Sequence, residues 1–309
     1  MSRPLVRLAI GRLLGLLPMA LLVIFVSFLV MRAVPGGPFD QARTLSPAVR
    51  ANLEHRYGLD RPPTVQFTRY LGAVVSGDFG ESLSHPGRSV AGLLAEGAGV
   101  SARIGGGALL LALVLGVPLG LAAARGTPGC GLAIATGLAT PTFVLGPLLV
   151  LVFALKLRWL PVTGDDGRPL ALVLPIVTLA LVPLAEIARL TRAGASDVLD
   201  SAFVRAARCR GLGEWTVLVH YVLAPALRPV LAYLGPLAAA VLTGSLVVER
   251  LFVLPGSGAY LIDGALARDY PLVLGATLAY LGLILVCMLL ADLLGAWLDP
   301  ALSRAQDRS

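Results

Sequence analysis

Phe203-Val204-Arg205-Ala206-Ala207-Arg208-Cys209-Arg210-Gly211-Leu212-Gly213-Glu214-Trp215, running on to Leu227-Arg228-Pro229, is a polar, arginine-dotted stretch set between long apolar runs. It reads as two short helices with a turn between them. Ser196 is placed to cap a helix over 196–210. Arg205, Arg208 and Arg210 fall where cations complement the negative end of its dipole. Gly211 stands where the chain needs a left-handed cap. A second helix restarts near Glu214, whose charge favours an N-terminus. Such an elbow, continuous with the apolar segments on either side, transmits a rotation that a floppy loop would not.

The flanking segments decide the fold class. Apolar residues make up 57% of the 309-residue chain and charged residues only 14%, where a soluble domain carries about 25% charge. Uncharged or nearly uncharged runs occupy Leu13–Met31, Ile104–Ala124, Gly126–Leu155, Pro169–Ala185, Pro229–Val248 and Pro271–Ala291. A spanning helix needs about 20 apolar residues, so the chain reads as an all-α membrane protein of six transmembrane helices. Gly126-Thr127-Pro128-Gly129 is a turn at the start of the third run. The first run follows Arg3, Arg7 and Arg12 as a signal peptide would. It exceeds the usual signal h-region of about 7–15 residues and no small-x-small cleavage site follows, so it is read as an uncleaved span.

Charge sets the orientation. With the N-terminus inside, the cytoplasmic segments hold 12 basic residues and the short external loops 5. The rule counts short loops and sets aside the long segment 32–103. Both termini and the elbow are then expected in the cytoplasm. The parts are residues 1–31, an N-tail and first span; 32–103, an external helical insertion; 104–298, a five-helix core containing the cytoplasmic loop 193–228; and 299–309, a cytoplasmic tail. Cys130, Cys209 and Cys287 all fall outside external loops, so no disulfide is expected.

The insertion is patterned. Ser46-Pro47 opens a helix whose stripe is Val49, Leu53 and Tyr57, with Gly58 as its stop. A second helix runs from Pro63 to Val75 with Phe67, Tyr70, Leu71 and Val74 on one face, and Gly77-Asp78-Phe79-Gly80 breaks it. These stripes pack on the outer ends of the spans, form a docking surface for a substrate-delivery protein, or do both. The glycines of the second span, Gly105-Gly106-Gly107, Gly116 and Gly120, serve close helix packing or line a passage.

Several chemistries are absent. The chain has one lysine, Lys156, followed by Leu157, so no phosphate-binding loop can be built; ATP-driven work falls to another polypeptide. No nucleophile–base set, metal spacing or cofactor signature occurs, so no cofactor and no catalytic or metal residue is assigned. A nucleic-acid reading of the elbow fails because it is tethered between spans with a balance of only +3. Glu186, Glu249 and Asp292 lie at or near span ends. They line a passage or its gate, or they pair locally, as Glu186 can with Arg189 at i+3.

The elbow resembles the coupling loop of ABC-transporter permeases. Arg205-Ala206-Ala207 stands at its Glu-Ala-Ala triplet, Gly211 at its glycine and Pro229 at its later proline. The first position departs from that pattern, Arg for Glu, and the peptide-type members often lack that Glu. Further strings resemble the B-type permeases of dipeptide and oligopeptide importers. They are Val34-Pro35-Gly36-Gly37-Pro38, Tyr57-Gly58-Leu59-Asp60-Arg61-Pro62, Gly77 through Leu83, Ala188 through Arg192, Val248-Glu249 through Pro255-Gly256, Arg268-Asp269-Tyr270-Pro271, and Asp292 through Leu298-Asp299-Pro300. Seven in order cover nearly the whole chain. The resemblance implies the type I importer permease fold and half of a peptide pathway driven by alternating access. The elbow, through Arg205, Ala206, Ala207, Gly211, Glu214 and Pro229, would couple to the ATPase. The implied partners are a second related permease, two cytoplasmic ATPase subunits, an extracytoplasmic substrate-binding protein and the lipid bilayer. Relatives with the same motifs import nickel complexes, glutathione or haem. An ion-coupled secondary transporter is a further alternative, although no proton relay or inverted repeat is seen.

Overall fold

The computed structural model describes residues 3–33, 60–162 and 168–298, with Ala48, Asn52, His55 and Gly58 between the first two. Of residues 3–17, Gly244 and 292–298 it describes the backbone alone. Helix α1 is Arg3–Ala33 and α2 is Pro63–Val75, which opens on a proline at its first turn. Then come α3, Val90–Ala124, α4, Cys130–Ala139, and α5, Thr142–Leu149, which runs on as a wider π-wound segment over Val150–Lys156. A 3-10 turn at Pro169–Leu172 leads into α6, Val173–Leu199. The elbow holds α7, Ala202–Cys209, α8, Glu214–Val217, a π segment at Leu218–Val222 and α9, Leu223–Ala226. The last helices are α10, Arg228–Leu251, α11, Ser257–Ala267, and α12, Tyr270–Leu298. Among the described residues the only β pairing is an isolated bridge from Glu81 to Ser89.

The chain is thus all-helical and multi-pass. Four stretches are long and apolar enough to cross a membrane: Val90–Ala124, Pro169–Leu199, Arg228–Leu251 and Tyr270–Ala291. A bent pair, Cys130–Ala139 with Thr142–Lys156, makes a fifth if it is one span. The first expected span falls on α1, whose described apolar part, Pro18–Ala33, is shorter. The run Gly126–Leu155, read from the sequence as one span after a turn, is bent by 103° between Cys130–Ala139 and Thr142–Lys156. Pro141 is the cause. The residue before a proline is pushed out of the helical region, and Thr140 is extended at φ −87°, ψ 115°. The expected turn at Gly126-Thr127-Pro128-Gly129 is present, with both glycines at positive φ, 77° and 83°.

Two compact units divide the chain: Met1–Gly99 with Pro255–Gly282, and Val100–Leu254 with Leu283–Ser309. In the second unit, Ile104, Ala108 and Ala112 line one face of α3 at four-residue spacing. They join Leu174 and Ile187 of α6 and Val230, Leu237 and Val241 of α10 in one buried cluster. Lipid is as apolar as these side chains, so close contact holds such helices together rather than expulsion of water. The glycines of α3 supply it. A Cβ at Gly116 would stand 2.8 Å from the Leu184 carbonyl oxygen, and one at Gly120 2.5 Å from that of Ala188. Gly105 and Gly107 are closed by Leu242 and Ile176, while Gly106 faces open space. Packing, rather than a lined passage, accounts for four of these five glycines.

In the first unit, α2 lays Phe67, Tyr70 and Leu71 against Ile24, Phe28 and Leu274. The Phe67 ring meets Phe25 and Phe28 at centroid separations of 5.5 and 5.4 Å, within the favoured range for aromatic pairs. The packing reading of this stripe is realised. Of the helix expected at Ser46 to Gly58, the stripe Val49, Leu53 and Tyr57 lies outside the described residues, while the described Ala48, Asn52 and His55 are helical and Gly58 has the left-handed φ of 67° that a stop requires. The Val34 to Pro38 string lies outside them as well.

Candidate functional site

The elbow is a small packed body. Val204 and Ala207 of α7, Val217 and Leu218, Val222, and Ala226 of α9 are buried together with Ala195 of α6. Leu121, Ala124, Leu199 and Leu212 pack around them. Gly194 lets the chain close: a Cβ there would stand 2.5 Å from the Ala226 carbonyl oxygen. The elbow therefore owes its shape to its own apolar core, which is what rigidity requires.

The local geometry corrects one boundary. Ser196 does not cap a helix. α6 continues to Leu199, and the Ser196 hydroxyl donates back to the Arg192 carbonyl at 2.9 Å. α7 begins at Ala202 after Ser201, an extended residue at φ −73°, ψ 154°. Ala195 is the reason: it is fully buried in the elbow core, and packing holds α6 helical past the point where a serine could have started a new helix. Toward the next span the helical path is irregular rather than broken. Pro225 has no N–H to give the carbonyl four residues back, and a π segment at Leu218–Val222 precedes it, but the Leu227 N–H donates to the Leu223 carbonyl at 3.0 Å and the Leu231 N–H to that of Leu227 at 2.9 Å.

Gly211 has the expected left-handed conformation, φ 78°. Its N–H donates to the Arg208 carbonyl at 2.9 Å, and the Arg210 N–H to that of Ala206 at 3.2 Å. Across the turn the Arg208 guanidinium forks onto Glu214, Nε to Oε1 at 2.9 Å and Nη2 to Oε2 at 3.2 Å. Both side chains are exposed, so the pair fixes geometry more than it stabilises; such pairs contribute about 0–1 kcal/mol. Arg205 Nη1 donates to the Asp200 carbonyl at 2.5 Å, tying α7 to the end of α6.

The residues singled out from sequence divide by burial. Ala207 is buried and belongs to the elbow's core; Pro229 is half-buried on the first turn of α10. Arg205, Ala206, Gly211 and Glu214 are on the outside. Two aromatics join them there: Trp215, 78% exposed, and Phe203, 48% exposed. Sequence reasoning quoted both and gave neither a role. The signal was the phase of α7, where Val204 and Ala207 mark the inner face and leave Phe203, a large apolar group, on the outer one.

Of the three candidate passage carboxylates, Glu186 accepts from its i+3 neighbour Arg189, Nη2 at 2.7 Å and Nε at 3.3 Å. Glu249 is fully buried, and its Oε1 accepts from the Ser101 and Ser245 hydroxyls at 2.6 and 2.5 Å. Asp292 lies on α12, but its side chain is outside the described residues, as are Asp299 and Pro300.

A second polar centre went unread. Asp269 is fully buried. Its Oδ2 accepts from Ser82 Oγ at 2.5 Å and from the amide and hydroxyl of Ser84 at 2.9 and 2.8 Å. Its Oδ1 takes the Leu272 N–H at 3.1 Å, which caps α12. Two of the sequence strings, Gly77 to Leu83 and Arg268 to Pro271, are thus one bonded unit. Each serine has a single proton and gives it to the carboxylate. His85 Nδ1, 3.2 and 3.1 Å from the same two hydroxyl oxygens, must therefore be the donor to them. With serine protons committed to a carboxylate, this cluster is no nucleophilic triad.

Residues 106–304 match the family model described as the binding-protein-dependent transport system inner membrane component. The chain is 42% identical over 296 residues to the oligopeptide transport system permease protein OppB of Escherichia coli (strain K12), covering 94% of this chain and 96% of that one. It is 39% identical over 295 residues to the protein of the same name from Haemophilus influenzae, covering 94% and 96%. To the dipeptide transport system permease protein DppB of Bacillus subtilis (strain 168) it is 37% identical over 285 residues, covering 91% and 92%. With an all-helical, multi-pass architecture, a self-cored polar elbow and this similarity over nearly its whole length, the chain belongs to the ABC-importer permeases, the inner-membrane components of binding-protein-dependent transport systems.

Proposed function

We propose that this chain is one permease subunit of an ATP-driven importer of dipeptides or oligopeptides. Peptide cargo is supported by the names of relatives that align with it over more than nine-tenths of its length. A second, related permease would complete the pathway, two cytoplasmic ATPase subunits would drive it, and an external binding protein would deliver the ligand. Both termini and the elbow would lie in the cytoplasm, as the arginine distribution favours, with α1 as a sixth span. ATP would be hydrolysed on the partner subunits, since no phosphate loop can be built around Lys156.

The observation that carries the coupling role is the elbow's composition. Its inside is a closed apolar core. Its outside presents Trp215 and Phe203 beside Arg205 and Arg210. Aromatic and arginine side chains are the types that anchor protein interfaces. The elbow would seat on the ATPase and move with it, so that closure of the ATPase pair swings the attached spans and opens the pathway outward.

Purification through a tag on this chain tests the assignment. ATPase subunits are expected to co-purify in stoichiometric amount. Proteoliposomes of the complex are expected to accumulate a labelled dipeptide only with ATP and the binding protein. Recovery of the chain alone from gently solubilised membranes, with peptide uptake driven by a proton gradient, would refute the reading.

A further inference from the structure

A cavity of about 270 Å³ opens in the first unit between α2 and the segment that follows it. Its floor is apolar and aromatic, built by Phe28, Phe79, Pro271 and Leu274. Its charges come from two walls. Arg61 and Arg69 line it from α2 and the turn before it; Asp78 and Glu81 line it from the following segment. Gln66 also lines it, but its amide is engaged by Arg32 and by the Arg61 carbonyl. Asp78 Oδ1 accepts the Gly80 N–H at 2.8 Å, which leaves its second oxygen. Beside the hydroxyl of Tyr270, the remaining polar group is the Tyr70 hydroxyl. It is buried and has no hydrogen-bond partner among the described residues. A buried polar atom without a partner is costly and uncommon, and this one is sealed behind the cavity wall, so a ligand oxygen reaches it when that wall shifts.

The charges narrow the ligand. A phosphate or an acidic side chain would meet the guanidiniums but also Asp78 and Glu81. A cation would meet the carboxylates but also two arginines. Only a molecule carrying both charges satisfies both walls, and the floor asks for an apolar body between them. Ligand pockets run about 300–1,000 Å³, so this cavity, at the small end, takes something the size of an amino acid or a dipeptide. We propose that it is a binding site for a small zwitterion with an apolar side chain, a free amino acid or a dipeptide, held by carboxylate to Arg61, Arg69 and the Tyr70 hydroxyl and by ammonium to Asp78 and Glu81. The choice of a dipeptide as probe rests on the peptide-import reading; the site itself rests on the cavity's charges and the Tyr70 hydroxyl.

The probe is tritiated leucyl-leucine, added to the complex purified through this chain, held in lipid nanodiscs with no binding protein present. Saturable binding is expected, and free leucine should compete for it. N-acetyl-leucyl-leucine and leucyl-leucine amide each lack one charge and should compete at least about tenfold more weakly, the loss that goes with one charge-assisted bond. Arg69→Gln and Asp78→Asn should each weaken binding by a similar factor. Tyr70→Phe separates this role from a structural one. It deletes a hydroxyl with no partner in the protein, so the thermal midpoint should hold or rise while probe affinity falls. Absence of saturable binding, equal competition by both blocked analogues, or unchanged affinity in Tyr70→Phe overturns the site. Uptake in vesicles keeps the two readings apart. A complex that imports the dipeptide with its binding protein but shows no binding without it loses the cavity and keeps the import function; one that binds and imports no peptide loses the import function and keeps the cavity.

Discussion

Replacing Gly211 by valine should uncouple transport without unfolding the membrane domain. The cost is separable here because the residue has no neighbours: nothing lies within 4 Å of a Cβ built on Gly211. No clash therefore enters, and the whole effect is backbone strain at φ 78°. An L-residue in the left-handed region costs roughly 1–2 kcal/mol, and a β-branched one lies at or beyond the upper end. That amount shifts the balance between native and re-formed turns by a factor of about 5–30. The elbow's core should survive, since Val204, Ala207, Val217 and Val222 are untouched. What changes is the angle between α7 and α8 and with it the Arg208–Glu214 fork. The assay compares membrane level, binding-protein docking, peptide uptake and substrate-stimulated ATP hydrolysis in wild type, Gly211→Asn and Gly211→Val. Membrane level and docking should stay near normal. Uptake and stimulated hydrolysis should fall together, least in the asparagine variant because asparagine tolerates this conformation best after glycine. Arg205→Glu should be milder than valine at 211, since Arg205 is exposed and makes one bond to a carbonyl. Wild-type uptake by Gly211→Val would refute the view that this turn sets the elbow's angle.

Other consequences are equally concrete. Trp215→Ala removes a side chain that is 78% exposed in the subunit, so the thermal midpoint should not move, while recovery of the ATPase in a pull-down should drop by about tenfold or more if the residue is an anchor worth at least ~1.4 kcal/mol. Gly120→Ala places a Cβ 2.5 Å from a backbone oxygen and should lower the membrane level several-fold, whereas Gly106→Ala, with open space, should leave it unchanged in the same immunoblot. Asp269→Ala leaves the Ser82 and Ser84 hydroxyls and the Leu272 N–H without their acceptor, so unit one should lose about 1–3 kcal/mol and the insertion 32–103, external in the proposed orientation, should become more sensitive to protease added from outside. Normal protease resistance would mean that this carboxylate is not what ties the insertion to the start of α12.

The fold class was legible because it depends on amounts: long uncharged runs, one lysine, arginines gathered between runs. The elbow's turn was legible because one residue type is suited to one conformation, and Gly211 has it. What escaped the sequence depends on partners far along the chain. Asp269 reads as an ordinary polar residue after α11, and only the return of the chain brings Ser82 and Ser84, 187 and 185 residues away, onto it. The break at Thr140-Pro141 was hidden differently. Prolines stand inside other helices here, Pro118 in α3 and Pro183 in α6, so proline alone did not announce a 103° bend. Ser196 failed as a cap because burial of Ala195 outweighs a capping bond worth about 1 kcal/mol.

The corrected boundaries also relocate where motion has to be absorbed if the elbow couples as proposed. An elbow continuous with both spans would turn them as one lever. The observed elbow is joined more loosely on one side. There α6 ends at Leu199, and the non-helical pair Asp200-Ser201 follows before α7 starts. On the other, Leu227 stands between α9 and α10, with helical bonds running through it from Leu227 to Leu223 and from Leu231 to Leu227. Between those joints lie the apolar core and the Gly194–Ala226 contact, where a Cβ would be 2.5 Å from a carbonyl oxygen and no sliding is possible without separation. Packed interiors do not deform continuously, so a displacement imposed on the outer face should pass through the elbow whole and be taken up at the Asp200-Ser201 joint. The α6 joint is held by two side-chain bonds across it, Arg205 to the Asp200 carbonyl and the Ser201 hydroxyl to that of Val198, each at 2.5 Å. The Ala226 end is clamped onto α6 itself. A push on α7 therefore reaches the membrane chiefly through the Gly194–Ala226 contact, carrying the last turns of α6 and the start of α10 together.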